Sequence, residues 1–202
     1  MPRNCPQPHL RLLAAALVAA LCLLGLPACN VPATSMVSDA LDVARPPVTS
    51  MVLLSPHMPQ KGKLRTPYAC AQLNGQNQSP PMYWQYTPNG TNAFAITLLD
   101  LSVTPPAVLW GLINIPGDYR SIVQNQQNGQ LPGDAWEITT AAGTVGYDGP
   151  CPPAGESHLF LFTIYALRDT IGFRTGTVLL EDIADELESK TILSGELGVT
   201  YP

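Results

Sequence analysis

The sequence predicts a mainly β fold, an antiparallel two-sheet β-sandwich with one helix near its C-terminal end. Three observations lead there. The 202 residues include 21 prolines and 16 glycines, a loop-rich composition that suits a β protein better than a helical bundle. Short apolar runs rich in β-branched and aromatic residues recur between turn residues. Only one stretch, Leu180 to Ser189, carries a clear helical pattern.

Taken in chain order, Met51 to Ser55 is expected as the first strand. Pro67 to Tyr86 should hold loops and a short strand, with Trp84 in the core. Asn89-Gly90 reads as a hairpin-type turn, because both residues accept positive φ. Phe94 to Leu99 and Val108 to Ile115 follow as strands. Residues 117 to 145 are full of Gln, Asn and Gly and read as a long, mobile, exposed insertion. Leu159 to Leu167 is almost wholly apolar and is expected as the central strand, covered on both faces; periodicity alone leaves a buried helix open. In the helix, Leu180, Ile183, Ala184 and Leu187 line one face while Glu181, Asp182, Asp185, Glu186 and Glu188 take the other. Glu181 and Asp182 suit its N-terminus and Lys190 its C-terminus. Leu193 to Tyr201 closes the chain as a last strand.

The N-terminus reads as a targeting segment. Arg3 and Arg11 precede the apolar run Leu12 to Leu26, which is short for a membrane span. Leu26-Pro27-Ala28-Cys29 resembles the bacterial lipobox, so residues 1–28 are expected to be a lipoprotein signal peptide and Cys29 the lipidated residue. The alternative is an ordinary secretory signal cut near Ala28. Residues 29–49 are small and polar with Pro46-Pro47 and read as a flexible tether. The domain then occupies residues 50–202. The expected location is the bacterial cell envelope, lipid-anchored. Asn30 rather than Asp after the cysteine tilts this towards the outer membrane.

Without Arg3 and Arg11 the chain has eight basic against fifteen acidic residues, a net charge of −7. An acidic surface with no basic run argues against nucleic acid as a partner. Of five cysteines, Cys5 and Cys22 belong to the signal and Cys29 to the anchor. Cys70 and Cys151 remain, in an oxidising compartment, and a disulfide between them is the expectation; two free thiols are the alternative. No zinc-type spacing is present, and no metal or cofactor is expected.

Gly146 to Leu167 is the most informative segment for function. Pro150, Pro152 and Pro153 stiffen a loop that leads into the apolar strand. His158 sits at the junction. From local residues alone, a small binding site and a merely solvated strand end are equally open.

Gly149-Pro150-Cys151-Pro152-Pro153, then His158-Leu159-Phe160, then Tyr165-Ala166-Leu167 resemble the motifs of the phosphatidylethanolamine-binding protein family, in its bacterial Raf-kinase-inhibitor-like branch. Further blocks agree in order: Tyr68-Ala69-Cys70, Asn77 to Trp84, Phe94 to Asp100, and Leu109-Trp110 followed by Asn114-Ile115-Pro116. The tail Leu193 to Tyr201 resembles the family's closing strand. The likeness runs from about Met51 to the C-terminus.

The resemblance implies a large and a small sheet with a pocket at one end for a small anion or a phospholipid headgroup. Carried over residue by residue, its ligand-binding positions are Asp100, Ser102, Leu109, Trp110, Gly149, Pro150, Cys151, Pro152, His158 and Phe160. Several depart from the family pattern. Ser102 stands for an Asp, Leu109 for a His, Leu159 for an Arg and Phe160 for a Tyr. Leu109 and Phe160 donate nothing to an anion, and the loop prolines lack N–H groups. His158, the N–H groups of Gly149 and Cys151, and the hydroxyls of Ser102, Ser157 and Tyr147 are the donors left. Each lost donor to a charged ligand costs about 1.5–3 kcal/mol. The expectation is therefore a weak, degenerate anion site, or a pocket retuned to an apolar small molecule. Asp100 next to His158 would raise its pKa if the two meet. Trp84 and Trp110 are expected chiefly as core residues.

The leading reading is a lipid-anchored binding protein, bound to the membrane through its lipidated N-terminus. A second is a regulatory or inhibitor protein acting by surface contacts with a kinase or protease-like partner, with 117–145 as the contact. Enzymatic activity is not expected. No serine sits in a Gly-x-Ser-x-Gly elbow, and His158 is the one usefully placed histidine, with His57 at the domain edge and His9 in the signal.

Overall fold

The computed structural model describes residues 49–126 and 130–202. The expected signal peptide, Cys29 and all of the tether except Thr49 lie outside the described residues. Ten elements follow in order: β1 (Val52–Leu54), β2 (Gly62–Lys63), β3 (Met82–Gln85), β4 (Ala93–Asp100), β5 (Ala107–Pro116), β6 (Ser121–Ile122), β7 (Trp136–Glu137), β8 (His158–Leu167), α1 (Leu180–Lys190) and β9 (Thr191–Tyr201). Short 3-10 turns occupy Thr66–Tyr68 and Ala71–Leu73.

Two sheets form, as the turn-spaced apolar runs predict. The small one has the order β1-β3-β6 and the large one β2-β9-β8-β4-β5-β7. All pairings are antiparallel except β2 with β9, which is parallel. Alternation along the strands decides which layer each residue joins. Phe94, Ile96 and Leu98 of β4 and Phe160, Phe162 and Ile164 of β8 pack with Leu53, Met82, Trp84 and Ile122 between the sheets. Ala93 and Ala95 of β4 face the other way, against Ile183 and Leu187 of α1. The large sheet is thus the middle of three layers.

The helix sits where its apolar face predicts. The Asp182 carboxylate accepts from the Leu179 N–H at 2.8 Å, capping the first turn. Lys190 and the Gly172 N–H hold the Glu186 carboxyl at a pKa of about 2, with a further contact from Arg174. That cluster ties the loop after β8 to the helix.

Two expectations need correction. Residues 117–145 are not wholly exposed. Ile122, Trp136 and Ile138 are buried, and β6 and β7 add an edge strand to the small and the large sheet. The polar Gln and Asn residues around them masked these anchors. Asn89-Gly90 does form a turn, with φ of 81° at Gly90, but it links β3 of one sheet to β4 of the other. It therefore passes between layers and closes no hairpin.

Candidate functional site

The end of β4, the start of β5 and the start of β8 meet at one end of the sandwich. Pairing of Asp100 with Phe160 and with Ala107 brings them there. Asp100 and His158 both lie on the inter-sheet side, in step with Leu98 and Phe160. His158 is the first residue of β8 and is only 7% exposed, so the imidazole is part of the structure and not a solvated strand end.

His158 is held between two carboxylates. Its Nδ1 is hydrogen-bonded to Asp100 Oδ2 at 2.7 Å, and its Nε2 to Glu156 Oε2 at 3.2 Å. Two flanking carboxylates favour the doubly protonated, cationic form of the ring, in which both nitrogens donate. The hydrogen bond to Asp100 raises the His158 pKa above its ordinary value, the bond to Glu156 adds to this, and burial opposes it. The two carboxylates differ in character. Asp100 is buried, and its second oxygen accepts from the Ser102 N–H at 2.9 Å. Ser102 Oγ in turn accepts from the Leu159 N–H at 2.9 Å. That closed set fixes the ring. Glu156 has a side chain 61% exposed and sits in a loop, so it can leave.

A β-bulge sets the placement of Leu109. Leu98 pairs with Trp110 but Leu99 pairs with Val108, so Leu109 is an extra residue on β5. Leu109 and Trp110 both pack in the inter-sheet core as a result. Trp110 is fully buried in that core and donates from its indole to Glu137 Oε1 at 2.8 Å. Phe160 is also fully buried and stacks on the His158 ring at 6.1 Å. Five cavities of 340–480 Å³ lie among the described residues, and none of these five is lined by His158, Asp100 or Leu109.

The proline loop is positioned by contacts that consume two of the expected donors. The Gly149 N–H donates to Asn77 Oδ1 at 2.6 Å, and Asn77 Nδ2 donates to the Tyr147 carbonyl. The Tyr147 hydroxyl donates to the Tyr68 carbonyl at 2.9 Å. Neither group is available to a ligand, which corrects the donor set drawn from the sequence. Gly149 is required for another reason: a Cβ there would lie 2.6 Å from the Ala69 carbonyl carbon. Pro150 and Pro152 are buried, while Cys151 is exposed. Its sulfur is bonded to that of Cys70, with the Cα atoms 5.4 Å apart. The Cys70 N–H also donates to the Pro150 carbonyl.

Sequence reasoning missed Glu156 and Asn77 as site residues. A signal for Glu156 was present. Two residues before His158 on an extended chain, it falls on the same side as the ring.

The comparisons agree with this architecture. The phosphatidylethanolamine-binding protein family model matches residues 54–202. A UPF0098 protein of Methanothermobacter thermautotrophicus is 31% identical over 144 residues, covering 70% of this chain and 91% of its own. The Mycobacterium tuberculosis protein LppC, which only its name marks as a lipoprotein, is 30% identical over 125 residues, 60% of this chain and 58% of its own. The solved structure of Escherichia coli YbcL superposes with a TM-score of 0.71 at 23% identity, covering 75% of this chain and 98% of that one. With the family model spanning both sheets and the His158 end, the chain belongs to the phosphatidylethanolamine-binding protein family.

Proposed function

We propose that this protein is a cell-envelope binding protein, lipid-anchored through Cys29, whose site takes a phosphate-bearing headgroup by displacing Glu156. The observation that carries this is the His158 ring, fixed on one side by buried Asp100 and closed on the other by an exposed carboxylate, a setting that favours its cationic form. Glu156 occupies the place an anion would take. Its presence, together with apolar Leu109 and Phe160, gives a physical reason for weak anion binding. A displaced Glu156 also offers a carboxylate to an ammonium group. Phosphoethanolamine supplies both charges, phosphate for His158 and ammonium for Glu156. It should therefore bind better than inorganic phosphate.

Calorimetric titration tests the reading. The full chain is expected to bind phosphate only in the millimolar range and phosphoethanolamine more tightly. Glu156→Ala should tighten phosphate binding about tenfold by removing the competing anion, roughly one charge-assisted hydrogen bond. It should also abolish the preference for phosphoethanolamine. Micromolar phosphate binding by the unaltered chain, or weaker binding in Glu156→Ala, would refute it.

A further inference from the structure

We propose that the cavity at the opposite end of the large sheet from His158 binds the trimethylammonium group of a quaternary ammonium compound. At 480 Å³ it is the largest of the five cavities, and Ala93, Asn114, Asp134, Trp136, Thr170 and Phe173 are among its walls. Ala93 is the first residue of β4 and Asp100 the last, which puts this cavity ~23 Å along the strand from the His158 end. Two aromatic rings form a corner in it. Trp136 and Phe173 stand at 89° to each other with centroids 5.8 Å apart. Trp136 is 7% exposed and fixes the corner, whereas Phe173 is 70% exposed, the most of any large apolar residue described. An aromatic ring left in water beside a cavity points to a ligand more than a scattered surface leucine does. Ring faces attract cations, Trp most strongly, and aromatic corners of this kind recognise quaternary ammonium groups.

The walls are held in place before any ligand arrives. The Asn114 side chain accepts from the Ile171 N–H at 2.8 Å and donates to the Ile171 carbonyl at 2.7 Å. On either side, Lys190 donates to the Thr170 carbonyl and the Gly172 N–H donates to Glu186. Gly133, with φ of 57°, lets the turn from Pro132 to Ala135 close on Pro116; a Cβ there would lie 2.7 Å from the proline Cγ. That turn presents Asp134, the one charged residue among the described walls. Among the described residues Asp134 makes no hydrogen bond or ion pair. The cations on the neighbouring loop and helix, Arg174 and Lys190, both pair with Glu186.

The chemistry of the acceptors chooses among cations. A primary ammonium has three N–H groups to satisfy and a guanidinium five. The carbonyls of Asn92, Pro116, Thr170 and Ile171 line the cavity but already accept from Gly117, Tyr119, Lys190 and Asn114. A quaternary ammonium donates no hydrogen bond. It needs ring faces and one compensating charge, which Trp136, Phe173 and Asp134 supply.

The test is titration of the full chain with choline, read by calorimetry and by the proton NMR signal of the choline methyl groups. Binding in the millimolar range is expected, with an upfield shift from the two rings. Ethanolamine, a primary ammonium, and 3,3-dimethylbutanol, the neutral isostere, should each bind about fivefold more weakly or less. Phe173→Leu should weaken choline binding about fivefold and Asp134→Asn about threefold. Both residues are exposed, so neither change should move the melting temperature. The inference does not rest on the headgroup reading. Phe173→Leu should leave phosphoethanolamine binding unaltered and Glu156→Ala should leave choline binding unaltered, so the two fail separately. Choline displaced by phosphatidylcholine vesicles would mark a lipid headgroup as the source of the group, and choline indifferent to them a soluble compound. No choline binding by the parent chain, equal binding of the neutral isostere, or an affinity unmoved by Phe173→Leu overturns the proposal.

Discussion

Breaking the Cys70–Cys151 disulfide is expected to cost the domain about 2–5 kcal/mol of stability. The two cysteines are separated by 81 positions in sequence. A cross-link over that distance removes much of the freedom of the unfolded chain, and the loss grows with the loop closed. The bridge also joins the loop that holds Tyr68 and Asn77 to the proline loop that borders His158. Without it those loops keep the bonds from Cys70 to Pro150, from Gly149 to Asn77 and from Tyr147 to Tyr68. The fold should therefore survive, and the site end should open first. Thermal unfolding with and without reductant, and of Cys70→Ala with Cys151→Ala, should show a drop of about 5–15 °C. Two free thiols by mass spectrometry without reduction, or a melting temperature indifferent to reductant, would contradict the expectation.

Asp100→Ala is expected to cost about 2–3 kcal/mol at neutral pH and below, through loss of a charge-assisted hydrogen bond to His158 and of the Ser102 cap. Its pH dependence separates the two contributions. The folded His158 pKa is raised above the unfolded value. The pair therefore contributes its full stability below about pH 6.5 and loses it as pH rises through the folded pKa. The Ser102 cap does not titrate in that window. Chemical unfolding of both proteins from pH 5 to 9, on the order of two units either side of an ordinary histidine, should show the gap between them narrowing as pH rises. A gap that stays constant would mean that His158 is neutral in the folded protein.

Much of the fold was legible in the sequence. The β4, β5, β8 and β9 runs are long, apolar and bounded by turn residues, and α1 has an unambiguous apolar face. What the sequence concealed was short and embedded in polar surroundings. The strands β6 and β7 have two residues each, and their anchors Ile122 and Trp136 stand alone among Gln, Asn and Gly. No periodicity can develop over two residues. The parallel edge strand β2 escaped notice for the same reason.

The site was legible as a set of positions and less so as chemistry. Asp100 and His158 come together because antiparallel pairing of β4 and β8 places the end of one against the start of the other. Whether a donor is free depends on long-range contacts. Asn77 Oδ1 accepts from the Gly149 N–H and the Tyr68 carbonyl accepts from the Tyr147 hydroxyl, each across more than 70 residues of sequence. A one-residue bulge decided where Leu109 points. Composition and motif carry no information on such pairings.

The central claim is that His158 is a cation whose outer N–H is shared between Glu156 and an incoming anion. Proton NMR of the His158 ring against pH tests it most directly. The account predicts a midpoint above the ordinary histidine value in the unaltered chain, a lower one in Glu156→Ala, and a return upward when phosphate is added to that variant. A midpoint at or below about 6.5 that neither Glu156→Ala nor phosphate moves would contradict it.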